Sequence, residues 1–169
     1  MARLFLAIWP DAQAHAALAR LAQDVALVAE GRPMTRDKIH LTLAFLGEVG
    51  DERRGAVEAV AGAVRAPRFT LVLDRVGSFR RSKVAWAGSS RDPAPLVELQ
   101  RSLEQGLRDV GFALETRPFQ AHVTLARKTA KPLPAAAIEP IPWQCEAVAL
   151  VVSNLGSGTY STLESWPLG

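Results

Sequence analysis

Two segments of this chain carry the same polar pattern. Ile39-His40-Leu41-Thr42-Leu43-Ala44 and Ala121-His122-Val123-Thr124-Leu125-Ala126 agree at the His, Thr, Leu and Ala positions, and they lie 82 residues apart in a chain of 169. Side chains of an extended strand alternate between faces, so each His and the Thr two residues later point together while the apolar neighbours point away. If two such strands meet at one cleft through an approximate two-fold, two imidazoles stand beside two hydroxyls. An imidazole titrates near neutrality, with an unperturbed pKa of about 6.5, and serves as a base when neutral and an acid when protonated. His40 and His122 could then supply both proton transfers of one displacement. The hydroxyls of Thr42 and Thr124 can donate to non-bridging phosphate oxygens, where charge gathers during in-line attack at phosphorus. No metal or other cofactor is needed for this chemistry.

A single histidine in an apolar strand is more often a hydrogen-bonded core residue than a catalyst. Repetition of the same His-x-Thr half a chain apart, in a protein with three histidines, is what raises the pair above that reading. The third, His15, falls on a helical pattern among alanines, with no His or carboxylate at ligand spacing, and reads as an exposed or half-exposed helix residue.

The elements that must position the pair follow from periodicity. Residues 3–9 form an apolar run closed by Pro10 and Asp11, a strand leading into a helix N-cap. From Asp11 to about Glu30, Ala14, Leu18, Leu21, Val25 and Val28 recur at spacings of three and four, and Gly31 and Pro33 end the helix. A strand over 39–46 and a helix over about 51–64 complete a β-α-β-α order. Residues 69–76 and 83–87 read as strands joined by a basic loop, Gly77-Ser78-Phe79-Arg80-Arg81-Ser82, in a hairpin. A helix opened by Pro93 or Pro95 runs to about Val110 on a Leu96, Leu99, Leu103, Leu107 stripe. Strands follow over 122–127, 146–152 and 159–166, with residues 131–142 a proline- and alanine-rich surface connection. No linker divides the chain, so residues 1–169 form one compact unit with a duplicated lobe.

Composition bounds the function. Apolar residues make up 49% of the chain and charged residues 22%, a balance that excludes intrinsic disorder. The net charge of +3 favours an anionic ligand. One cysteine, Cys145, excludes an internal disulfide framework and a cysteine-based zinc site, and is most simply read as a cytoplasmic address. No apolar stretch is long enough to span a bilayer, and the N-terminal run lacks the form of a signal peptide.

Beyond these patterns the whole chain resembles the 2H phosphoesterases, specifically the RNA 2′,3′-cyclic phosphodiesterases formerly called 2′-5′ RNA ligases. The residues that carry the resemblance are Arg3-Leu4-Phe5-Leu6-Ala7, the first motif from His40 to Gly47, the second from Arg117 to Arg127, and the ending from Tyr160 to Leu168. It implies an α/β (α+β) bilobal fold with pseudo-two-fold symmetry, two antiparallel sheets lining a central cleft and helices outside. It further implies hydrolysis of RNA 2′,3′-cyclic phosphate ends, or of cyclic nucleotides, to 2′-phosphomonoesters by a monomer without a cofactor. By that analogy His40 is the proton donor, His122 the proton acceptor, and Thr42, Thr124 and Arg127 hold the phosphate. Phe45, Phe79, Arg80, Arg81, Lys83 and Ser153 are candidate substrate contacts. One departure is Val151-Val152-Ser153 where many relatives have Tyr-x-Ser, which removes any contact from that tyrosine. Reversible 2′-5′ ligation by the same site, and a silent RNA- or nucleotide-binding module, are the competing readings.

Overall fold

The computed structural model describes residues 1–169 as nine strands and three helices. In chain order these are β1 (Ala2–Ile8), α1 (Ala12–Ala29), β2 (Arg32–Pro33), a single 3-10 turn (Arg36–Lys38), β3 (Leu41–Val49) and α2 (Asp51–Ala63). Then come β4 (Phe69–Phe79), β5 (Val84–Gly88), α3 (Ala94–Asp109), β6 (His122–Arg127), β7 (Ala136–Cys145), β8 (Ala147–Asn154) and β9 (Thr159–Pro167).

All strands join one antiparallel sheet in the order β7-β4-β5-β6-β3-β1-β8-β9, with β2 beside β6. The two sheets expected from the duplication are its halves. They meet where β3 touches β6 through one residue pair, Leu41 opposite Val123. Those two residues are themselves equivalent positions of the repeat, so the pseudo-two-fold passes between them. On either side β1-α1-β3 matches β5-α3-β6. Both axis residues are fully buried on the apolar face, which packs against the helices: α1 lies on β5, β6 and β7, and α3 on β3 and α2. The opposite face is left for the cleft.

Local chemistry sets the element ends. Asp11 caps α1 by accepting the Ala14 N–H at 2.9 Å, and Glu30 closes the helix in a left-handed conformation. The buried stripe of α1 is Ala14, Leu18, Ala22, Val25, Ala26 and Ala29, so the helix approaches the sheet mainly through small residues. Val28, expected on that stripe, is 62% exposed because it lies one turn-step to the side of the Val25–Ala29 line. The expected stripe of α3 is buried as read.

Three differences from the expected elements have physical causes. Strand β3 continues through Gly47 to Val49, because Gly47 at φ 70° absorbs the register shift between the Leu4↔Gly47 and Phe5↔Phe45 pairs. Lys83 is the last turn residue, at φ 56°, and not the first of β5, so the hairpin loop shrinks to Arg80–Lys83 and Phe79 ends β4. The proline-rich connection contains strand β7. It tolerates Pro140 and Pro142 because it pairs only with β4, at the sheet edge.

Candidate active site

The antiparallel register through Leu41 and Val123 places His40 across from Thr124 and Thr42 across from His122, all four on the cleft face. Each histidine thus neighbours the other strand's threonine, and the imidazoles sit on the diagonal, where cross-strand positions are roughly 7–8 Å apart. A phosphorus centre fits between groups so spaced. All four residues line one cavity of about 140 Å³.

Both imidazoles are oriented by the same local device. His40 Nδ1 donates to the Lys38 carbonyl at 2.6 Å and His122 Nδ1 to the Gln120 carbonyl at 2.8 Å. A carbonyl only accepts, so each Nδ1 carries hydrogen and each Nε2 is the reactive nitrogen. The two Nε2 atoms differ. That of His40 is paired with Thr42 Oγ1 at 2.9 Å, whereas His122 Nε2 has no protein partner. The surroundings differ as well. The His40 ring is enclosed by Phe5, Trp9 and Tyr160 at centroid distances of 4.9, 5.7 and 5.5 Å. His122 is more exposed, with Phe79 edge-on at 5.1 Å.

Burial is the main reason the His40 pKa is lowered from its ordinary value. The bond to Lys38 opposes the shift, and the positive charges of Arg127 and His122 add to it. The cavity is also cationic. Lys38 and Arg127 line it, neither is ion-paired, and no carboxylate faces it. Two imidazoles with two cations and no carboxylate make a poor ligand set for a divalent metal and a good receptor for an anion.

Of the residues singled out from sequence, His40, Thr42, His122, Thr124 and Arg127 come together in this cavity, and Phe45 forms its rim. Phe45 is 52% exposed, with the Arg3 guanidinium 5.7 Å from its ring centre. Phe79, Arg80 and Arg81 line an adjoining groove, whereas Lys83 and Ser153 line neither space. His15 is bonded through Nε2 to the Arg36 carbonyl, away from the cleft.

Sequence reasoning missed Phe5, Lys38 and Tyr160 as cavity residues. Tyr160 is the instructive one. Residue 151 lacks the relatives' tyrosine, but on the neighbouring strand Tyr160 pairs with Ser153, lines the cavity and packs against the cluster of Phe5, Ala7, Ala149 and Val151. Its hydroxyl accepts a long hydrogen bond from Arg127 Nη2 at 3.5 Å, and Lys38 Nζ stands 5.5 Å from its ring centre. No single-strand pattern finds such a residue. The signal lay in its place at the start of the last strand, opposite the departure at 151–153.

A two-lobed antiparallel sheet that aims one His-x-Thr from each lobe at a shared anion cavity defines the class of two-histidine phosphoesterases. Within it the chain belongs to the 2′-5′ RNA ligase superfamily, whose family model matches residues 8–157. The RNA 2′,3′-cyclic phosphodiesterase of Escherichia coli K12 is 44% identical over 97 residues, 57% of this chain and 55% of that protein. That of Aeropyrum pernix is 33% identical over 123 residues, 70% of each chain. The sequence match thus spans about half the length of the E. coli relative. Superposition on the apo crystal structure of E. coli LigT gives a TM-score of 0.87 at 34% identity, over 99% of this chain and 97% of that one. LigT complexed with 3′-AMP gives 0.89, over 99% and 98%. No helix of the chain is long and apolar enough to cross a membrane.

Proposed function

We propose that this protein hydrolyses the 2′,3′-cyclic phosphodiester at RNA ends to a 2′-phosphomonoester, without a metal, with His40 as acid and His122 as base. The observation that carries the reading is the register at Leu41 and Val123, which sets two Nε2 atoms on one cleft face on either side of a phosphate-sized cavity. Water attacks phosphorus opposite the 3′ oxygen and gives its proton to His122 Nε2, which has no partner in the free site. The P–O3′ bond breaks, and the 3′ oxygen takes the proton of His40 Nε2. The products are a 2′-phosphate and a 3′-hydroxyl, and proton exchange with solvent resets the pair.

Thr42 and Thr124 donate to the non-bridging oxygens, and Arg127 and Lys38 balance the charge that builds on them. The lowered pKa of His40 suits a strong acid, provided it is protonated when substrate is bound. An arriving phosphate supplies the negative charge that holds the proton there. The exposed Phe45 ring at the rim offers a face for the terminal base, which stacking accepts without reading its identity.

Relatives of this chain are named RNA 2′,3′-cyclic phosphodiesterases, which favours hydrolysis over the reverse joining reaction. The test is incubation with 2′,3′-cyclic mononucleotides and short RNAs carrying that end, with and without a chelator, and phosphorus NMR of the product. A 2′-phosphate formed equally with chelator is expected. A dominant 2′-5′ joined product, or activity lost to the chelator and restored by a divalent ion, contradicts the reading.

A further inference from the structure

The catalytic cavity continues into a groove of about 960 Å³, and the two spaces share Thr42, Phe45 and His122. Ligand pockets run from about 300 to 1,000 Å³, so the groove is far larger than a phosphate or a single base requires. Its walls differ in chemistry. The β4–β5 turn supplies Arg80 and Arg81, both exposed and neither ion-paired. On the other side the segment before β6 presents the free amide of Gln120, and α3 presents Gln100, whose Nε2 already donates to the Leu43 carbonyl at 3.4 Å and to Glu104 at 3.2 Å, among apolar side chains. The acids of that wall are already satisfied, Glu104 by Arg108 at 2.8 Å and Glu115 by Arg117 at 3.2 Å. One wall therefore suits a phosphate, and the other suits the edge and face of a base.

This inference rests on the function proposed above. With the cyclic phosphate in the cavity, the RNA has one covalent continuation, through the 5′ oxygen of its terminal nucleoside, and the groove is continuous with the cavity at the rim residue Phe45. We infer that the groove is a subsite for the penultimate nucleotide, its phosphate held by Arg80 and Arg81 and its base lying against Gln100 and Gln120. The substrate class is then an oligoribonucleotide of at least two residues. A free cyclic mononucleotide fills only the catalytic half. Arg80 and Arg81 do not face the reacting phosphorus, so they act on binding of the longer substrate and not on the chemical step.

The test compares a 2′,3′-cyclic mononucleotide with a dinucleotide bearing the same end, on the wild type, R80Q/R81Q and the charge-retaining R80K/R81K. A wild-type kcat/KM about tenfold higher for the dinucleotide is expected, carried by KM, since a charge-assisted contact to one phosphate is gained. The ratio should fall toward one in R80Q/R81Q and recover in the lysine variant. A second arm measures binding of the dinucleotide product, ending in a 2′-phosphate, across a salt series. The log–log slope should be shallower by about 0.7 in R80Q/R81Q, the loss of one single-strand phosphate contact. Equal wild-type kcat/KM for both substrates, an unchanged ratio in R80Q/R81Q, or an unchanged salt slope overturns the subsite. If neither substrate is turned over, the proposed activity fails, and the binding arm still decides whether the groove takes a second nucleotide.

Discussion

Replacing each cleft threonine by valine should have unequal effects, although the two positions are equivalent in the repeat. Valine keeps the branched shape and removes only the hydroxyl. At either site the loss is a hydrogen bond to a charged phosphate oxygen, worth about 1.5–3 kcal/mol, or roughly tenfold to a hundredfold and more in kcat/KM. At Thr42 a second effect opposes it. In the free site Thr42 Oγ1 is bonded to His40 Nε2 at 2.9 Å, a contact that must be given up when the phosphate arrives. Removing it destabilises the free state by about 0.5–1.5 kcal/mol, the ordinary net value of a hydrogen bond. Thr124 has no such bond to His122, so T124V suffers the full loss. T42V should therefore retain about twofold to tenfold more kcat/KM than T124V. The assay is initial-rate hydrolysis of a 2′,3′-cyclic mononucleotide, with circular dichroism to confirm that both variants fold. A T42V loss equal to or greater than that of T124V would refute the idea that the resting His40–Thr42 bond competes with substrate.

Three further outcomes follow from the same geometry. Arg127 lowers the His40 pKa by its charge, after burial as the main cause, so R127Q should raise that pKa as well as slow turnover. Removing that charge leaves the imidazole protonated to a higher pH, so R127Q moves the limb of the kcat/KM profile that His40 sets to higher pH, and a profile with both limbs unmoved excludes the effect. Y160F removes only a long 3.5 Å bond and should cost less than about fivefold in kcat/KM, whereas Y160A opens the wall against the His40 ring and should cost at least tenfold more than that, as steady-state kinetics will check. L41A deletes a fully buried side chain at the junction of the two sheet halves and should lower stability by about 2–5 kcal/mol in urea denaturation, a range that a mutant of unchanged midpoint would exclude.

Much of this cavity is legible in the sequence alone, because its core is written in local patterns. A His and a Thr two apart on a strand share a face whatever the fold, and the 82-residue echo implied that two such faces meet. Helix α3 was legible for a similar reason: its four leucines lie on one stripe, and all are buried. What escaped was set by pairing between distant strands. Strand β7 hid behind Pro140 and Pro142, since only its place at the sheet edge makes those residues tolerable. Tyr160 enters the cavity because β9 pairs with β8, and Lys38 because the 3-10 turn places its carbonyl on His40 and its side chain beside Tyr160. Ser153 and Lys83 line neither the cavity nor the groove, although Ser153 pairs with the cavity residue Tyr160 and Lys83 closes the turn that carries Arg80 and Arg81.

The duplication also explains why the roles of the two histidines are illegible in their own motifs. Both rings take the same bond from Nδ1 to the carbonyl two residues earlier, and both face the other strand's threonine, so the strands alone are symmetric. Asymmetry is imposed by what each half adds around them. β1 and the residue after it bring Phe5 and Trp9 against His40, β9 brings Tyr160, and the pairing with Thr42 holds its Nε2. On the other half the β4–β5 turn stops short and leaves His122 open to the groove with Nε2 free. A buried, cation-flanked imidazole releases its proton readily, and an open one can reach solvent water. On the roles proposed above, the division of labour between acid and base is a property of the flanking strands, and exchanging the enclosing aromatics between the halves should exchange the roles before any change to the His-x-Thr motifs does.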